Sequence, residues 1–202
     1  MIEKTLQQDD KEDLLEIITA VIKHEFLDSV EICSCILYNT DFFDQIVNLF
    51  NSLRFNKANN ELLTIFHFLT SNGRPVSHKL RLFQKGIIHT MMRFIDSQNN
   101  IVQMRVSEII SSVIIAGQSG LSEGEEHPYH KSLTENGTIQ KLIDLYNDSN
   151  INKNLHLKIA QLLAILFKAA PLPFAISKDI IDNLKDDNDL QELSRLSECP
   201  DP

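Results

Sequence analysis

The residues best equipped for chemistry cluster at 123–130, where Glu123, Glu125 and Glu126 precede His127, Pro128, Tyr129 and His130. Two imidazoles and a carboxylate are a zinc-ligand set, provided that the chain folds round them. His130 falls at the start of a helix, however, and the residues before it form a glycine-rich acidic loop. The pattern therefore reads as a solvated loop, and no metal is expected. Other motifs fail by one residue each. His24 and Glu25 begin the HExxH of zinc proteases, but the fifth place holds Asp28. Gly117-Gln118-Ser119-Gly120 is one residue short of the nucleophile elbow GxSxG, and no strand precedes it. No glycine cluster is followed by the Lys-Ser/Thr of a phosphate loop. Cys33 and Cys35 point to nearly opposite sides of a helix, so Cys33 reads as a small core residue. The acid runs at 9–13 and 186–189 read as solvated faces or helix starts. No catalytic residue and no cofactor is expected.

Composition narrows the partners. Asp and Glu number 28 against 19 Lys and Arg, a net charge of -9. Neutralising a phosphate backbone needs a basic stripe, and none is visible, so nucleic acid is not an expected partner. An acidic surface suits basic peptides, or simply solubility. Three cysteines at irregular spacing make no disulfide framework. The first residues lack the apolar core of a signal peptide. The most apolar run, 159–176, is broken by Gln161, Lys168, Pro171 and Pro173 and is too short to span a bilayer. These features predict a cytoplasmic protein, with the nucleus as the alternative, and no membrane insertion.

The elements that must position any site are helical. With 43 % apolar residues, 6 Gly and 6 Pro in 202, the chain favours one continuous helical array. A first helix over about residues 10–27 puts Leu14, Ile17, Ile18 and Val21 on one face at 0, 3, 4, 7 spacing. Asp28 or Ser29 then offers an N-cap, with Glu31 placed to close a capping box. Val30, Cys33, Ile36 and Leu37 face inward on the short helix that follows.

Three units can then be overlaid. Each begins with a short helix and a turn: CSCILYNTD at 33–41, HKLRLFQKG at 78–86 and YHKSLTENG at 129–137. Leu37, Leu82 and Leu133 occupy equivalent places. Second helices follow with Phe42, Phe43, Ile46, Val47 and Leu49; with Ile87, Ile88, Met91, Met92 and Phe94; and with Thr138, Ile139, Leu142, Ile143 and Leu145. Third helices present Leu62, Ile65, Phe66 and Leu69; Val106, Ile109, Ile110 and Val113; and Ile159, Leu162, Leu163 and Leu166. Self-similarity at a period of about 40 to 50 residues is the signature of a helical solenoid. Gly86 and Gly137 fit a turn with positive φ, and Asp41 holds that place in the first unit. The loop at 117–128 is a mobile insertion. Ser177 can cap a helix reaching Lys185, with Ile180, Ile181 and Leu184 inward. Leu190 and Leu193 mark one further short helix before an acidic tail.

The three-helix unit resembles the armadillo repeat over roughly residues 30–184, on the strength of HKLRLFQKG and YHKSLTENG and the helices after them. The resemblance implies an all-α fold: a right-handed superhelical solenoid of about three armadillo-like three-helix repeats with N- and C-terminal capping helices. On this reading residues 1–28 are the N-terminal cap, 29–75 the first repeat, and 76–127 the second with its acidic insertion. Residues 128–176 form the third repeat, and 177–202 a partial repeat and tail. It also implies a concave groove, lined by the third helices, that holds extended peptides or partner proteins. Import-adaptor grooves of this family carry a Trp and an Asn on the third helix. The matching places here hold Thr64, Glu108 and Gln161, and Phe68, Ser112 and Ile165, so only the general scaffold role carries over.

The expected partner-binding strip comprises Thr64, Phe68, Arg105, Glu108, Ser112, Ile115, Lys158, Gln161, Ile165 and Lys168. Phe68, Ile115 and Ile165 would form its apolar centre, with Arg105, Lys158 and Lys168 at the rim. The function expected is a non-catalytic scaffold for a protein or peptide partner. The alternative is a structural or regulatory subunit of a larger complex that docks or self-associates through its ends or outer face.

Overall fold

A computed structural model describes residues 29–54, 59–71 and 73–186, with isolated positions 13, 14, 17, 18 and 20 ahead of them. Val21, Asp28, Leu190 and Leu193 lie outside the described residues, as do the side chains of Ile36 and Leu184. Among the described residues the regular structure is helical, without strands. The helices are α1 (Val30–Asn39), α2 (Phe42–Ser52), α3 (Asn60–Thr70), α4 (Val76–Gln84), α5 (Ile87–Met92), α6 (Asn100–Gly117), α7 (His130–Glu135), α8 (Thr138–Tyr146), α9 (Lys153–Leu166) and α10 (Phe174–Asp186). None of them is long and apolar enough to cross a membrane. They belong to two compact units, Met1–Val113 and Ile114–Pro202, divided inside α6.

In the first unit α1 packs on α2 and α4, α2 on α5, α3 on α4, and α4 on α5. A first helix thus lies on the next first helix, and a second helix on the next second helix. Side chains pin this stacking. Ser34 Oγ meets His78 Nε2 at 2.7 Å, and the Tyr38 hydroxyl donates to the Ser77 carbonyl at 2.8 Å. Lys85, whose side chain is 5 % exposed, reaches Asp44 at 2.6 Å. Arg93 donates to the carbonyls of Phe50 at 2.9 Å and Leu53 at 3.2 Å, and also to that of Asn51. Carbonyls in the last turn of a helix lack partners within it, so a cation there both bonds them and complements the helix dipole. Arg105 Nε donates to Asn60 Oδ1 at 3.1 Å and joins α6 to α3. These links connect residues 39 to 45 positions apart.

The third-helix stripes of this unit are buried as their periodicity predicts, and so are Leu37 and Leu82. The second-helix stripe is shifted by one place. Phe43, Ile46, Val47 and Phe50 form it, while Phe42 and Leu49 are half-buried. Those four keep the 0, 3, 4, 7 spacing, and Phe50 meets Phe66 edge-on at 4.9 Å and Phe94 at 6.5 Å. Full burial of such a ring stabilises by roughly 3 kcal/mol. The N-terminal stripe does not behave as expected: Leu14 is 37 % and Ile17 62 % exposed. A helical period makes an apolar face available but supplies nothing to cover it.

In the second unit α7 packs on α8, α8 on α9, and α9 on α10. Leu133, Ile139, Leu142 and Leu145 are buried and Ile143 half-buried. Because α9 has helices on two sides, its buried set is wider than one stripe: Leu155, Ile159, Ala160 and all of 162–166. Helix α10 starts at Phe174, three residues before the expected cap at Ser177. The Pro173 carbonyl accepts from the amides of Ile176 and Ser177, while the Ser177 hydroxyl turns back onto the Phe174 carbonyl at 3.2 Å. Ile176 and Ile180 face inward, Ile181 is half-buried, and Phe174 is 97 % exposed.

Local signals explain where the helices start. Ser29 accepts from the Ile32 amide at 3.2 Å and donates its own proton to Glu31 at 2.9 Å, so Glu31 supports the cap instead of closing a box. Each third helix opens on an asparagine. Asn59 accepts from the Leu62 amide at 3.0 Å, Asn99 from Ile101 at 3.0 Å, and Asn152 from Leu155 at 2.8 Å. Gly86 and Gly137 precede the second helices at φ 80° and 79°, as expected. Asp41 has φ -88°, so the first repeat makes this turn without a left-handed residue.

Nothing lies within 4 Å of a Cβ built on Gly86 or Gly137, which leaves backbone strain as the cost of a side chain there. Gly86→Ala and Gly137→Ala are each expected to lower stability by about 1–2 kcal/mol in urea titrations. Asp41→Ala should change it by less than about 0.5 kcal/mol. Equal losses at all three positions would mean that the three turns share one conformation.

Candidate partner-binding surface

The strongest polar arrangement lies on the third helices of the first unit, away from their buried stripes. Arg105 on α6 is its centre. Its Nη1 donates to His67 Nε2 at 2.7 Å and to Glu108 Oε2 at 3.1 Å, while its Nε is held by Asn60. A guanidinium has protons to give and no lone pair to offer, so His67 Nε2 must accept and the ring carries its proton on Nδ1. Burial is the main cause that holds the His67 pKa below its ordinary value; Arg105 adds to this and Glu108 opposes it. The 3.3 Å approach of His67 Nε2 to Glu108 becomes an ion pair only when the ring takes up a second proton.

Thr64 is half-buried with its hydroxyl on the Asn60 carbonyl at 3.0 Å, and Ser112 is half-buried. Phe68 lies under the Arg74 guanidinium, 3.9 Å from its centroid, a cation–π contact that covers one face of the ring. Two exposed apolar side chains share the helix face of Arg105: Ile101 at 54 % and Met104 at 53 %. They escape a reading that follows only the stripe of Val106, Ile109, Ile110 and Val113. A helical wheel of α6 finds them, because 101, 104, 105 and 108 recur at the 3–4 spacing of a second face. His67 and Asn60 are also absent from the expected strip. Their role depends on the neighbouring helix, which spacing within α3 cannot reveal.

The second unit treats its expected residues differently. Ile115 is 50 % exposed, and Lys158 and Gln161 are half-buried. Ile165 is 5 % exposed and belongs to the core, because α9 is covered by both α8 and α10. Lys168 donates to the Ser122 carbonyl at 3.2 Å and so ties down the preceding loop.

That loop is solvated over 122–126 but not at its end. His127 is 2 % exposed. Its Nδ1 accepts from the Tyr129 amide at 3.1 Å, so Nε2 carries the proton and donates to the Ile114 carbonyl at 3.0 Å. Both nitrogens are committed to the backbone, and the residue works as an anchor. Gly117 explains itself here: a Cβ would lie 2.7 Å from Tyr129 Cε2 and 2.9 Å from His127 Cε1. Burial pushes the Tyr129 phenol up to about 12. His130 stacks edge-on against Phe167 at 4.9 Å. Among the described residues no three metal-ligand side chains converge.

Ser34 and His78 stand at the distance of a nucleophile and its base, 2.7 Å. His78 Nδ1, however, is buried and meets no hydrogen-bonding group among the described residues, and no carboxylate among them orients the ring. Burial first, then Arg74, pushes the His78 pKa down. The pair fastens α1 to α4.

No family model, curated protein or solved structure matches the chain.

Three histidines now share one direction. His67, His78 and His127 all titrate below the ordinary 6.5, with burial the largest cause in each case. The unfolded chain, with histidines near 6.5, therefore binds more protons than the folded one in the window just below that value. Their contribution to stability is complete above pH 6.5 or so and is lost as pH falls through the folded values. Thermal melts between about pH 7.5 and about pH 5 should show Tm falling on the acid side, with a shallower fall in His127→Gln. A flat profile would contradict the buried neutral rings.

Proposed function

We propose that this chain is a non-catalytic scaffold that binds a protein or peptide partner along the surface of its third helices, in an armadillo-like solenoid. The observation that carries the reading is the pair Ile101 and Met104, exposed on the same helix face as an Arg105 already held in place by three side chains. Apolar contact would supply most of the affinity, and the charges of Arg105 and Glu108 would set the partner's register. Helix-on-equivalent-helix stacking in the first unit supports the repeat reading, since such arrays expose one helix of each repeat on a common face. The net charge of -9 argues against a nucleic-acid partner. A cytoplasmic or nuclear working place goes with this role.

A second reading is docking through the end of the second unit. Phe174, 97 % exposed at the start of α10, favours it. A large aromatic group left in water is a common anchor for a partner.

Capture from cell extract, read by mass spectrometry, distinguishes the two. Ile101→Glu and Met104→Glu should each abolish capture while changing stability by less than about 0.5 kcal/mol. Loss of the same partners on Phe174→Glu, with both α6 variants still active, would move the interaction to the end of the second unit.

A further inference from the structure

Building on the α3–α6 surface as a docking site, we propose that His67 gates Arg105: a second proton on the ring releases the guanidinium, and the surface then captures a carboxylate-bearing peptide segment more tightly. In the neutral state the lone pair of His67 Nε2 takes an Nη1 proton of Arg105 at 2.7 Å. A ring protonated on both nitrogens has no lone pair left. Its Nε2–H then faces Glu108 Oε2 at 3.3 Å and donates there, while imidazolium and guanidinium repel one another. Among the described residues the charged groups acting on the ring are Arg105 and Glu108, both from α6; α4, which also packs on α3, adds none.

Arg105 stays tethered through Nε to Asn60, so its plane remains near the surface while the Nη edge becomes available. A guanidinium presented in this way matches a carboxylate with two parallel hydrogen bonds. Protonation also takes the His67–Arg105–Glu108 trio from neutral to net positive, which favours an anionic segment. Ile101 and Met104, beside Arg105, would receive an apolar residue next to that carboxylate. The depressed pKa of His67 keeps the gate closed above its ordinary titration range and opens it on acidification.

The test uses the full chain labelled with 15N, followed at its histidine and arginine side chains from about pH 7.5 to about pH 5.5. The Arg105 Nε resonance should move with the midpoint of His67 and lose its pH dependence in His67→Gln, whose amide oxygen accepts from Arg105 at every pH. In Glu108→Gln, which removes the negative charge that favours the imidazolium, the midpoint should move further down. An Arg105 signal indifferent to His67 overturns the gate. A fluorescent peptide of alternating Asp and Leu then reports capture by anisotropy. Wild type should bind it about three- to fivefold more tightly at the acid end. The difference should vanish in His67→Gln, and binding should be lost in Arg105→Gln. Equal binding at both ends of the range overturns the gate and leaves the docking surface standing. No binding at either end, with a normal Arg105 response, overturns the carboxylate-bearing partner. Binding that survives Ile101→Glu overturns the surface reading itself.

Discussion

Phe50 lies where successive groups of helices in the first unit need each other. Its ring is fully buried, edge-on to Phe66 on α3 and to Phe94 just after α5. Three short helices cannot hide a stripe on each of them by mutual contact alone, and the remaining apolar surface has to be covered by the helices that follow. The other features of the first unit follow from this need. First helices stack on first helices and second on second, because equivalent stripes are then brought into equivalent surroundings. The hydrophobic term sets the stacking but is not directional. Direction comes from the polar links, of which Arg93 is the clearest. It belongs to the segment after α5, yet it satisfies carbonyls at the end of α2. A slip of one turn in the stack would leave those carbonyls and the guanidinium without each other.

Periodicity within a helix made part of the fold legible in the sequence. The stripes on α3 and α6, the equivalence of Leu37, Leu82 and Leu133, and the left-handed Gly86 and Gly137 could all be read from local chemistry. What escaped depends on neighbours. Choosing between Leu49 and Phe50 requires knowing where Phe66 and Phe94 stand. Ile165 lies off the main stripe of α9, and its burial follows from a helix on each side. The stripe of Leu14 and Ile17 shows the reverse case, a good pattern that is not covered. The asparagine caps at 59, 99 and 152 are legible in principle, but polar residues between helices carry the same composition as loop.

The candidate surface divides along the same line. Arg105, Glu108, Thr64 and Ser112 could be placed off the core face by spacing alone. The roles of His67 and Asn60 could not, since they are defined by a guanidinium 38 and 45 residues away. His127 is the sharper lesson. Two histidines and three glutamates in a short loop suggest ligands, but a buried imidazole can also be a pair of hydrogen-bonding groups that completes a backbone. Here Nδ1 takes an amide and Nε2 reaches a carbonyl. Gly117 beneath it is required by close approach, not by a turn. Glycine therefore serves two purposes in this chain, and composition alone does not separate them.

What favours the proposed docking role of the α3–α6 surface is the order already imposed on its longest side chain. A free arginine loses roughly 2 kcal/mol of rotamer entropy when a partner fixes it. Arg105 has lost most of that on folding, through Asn60, His67 and Glu108. The same contacts compete with a partner for the guanidinium, so full pairing would defeat the purpose. In the proposed gate that conflict is avoided because one of the three acceptors is an imidazole nitrogen, which becomes a donor when it takes up a proton. Asn60 holds the plane at every pH, Glu108 can exchange one donor for another, and His67 alone changes from acceptor to donor with one proton. Ile101 and Met104 do not titrate and remain exposed beside Arg105. On the proposed reading, apolar contact would set the baseline affinity of the surface, while a single ring nitrogen would determine how much charge is added to it.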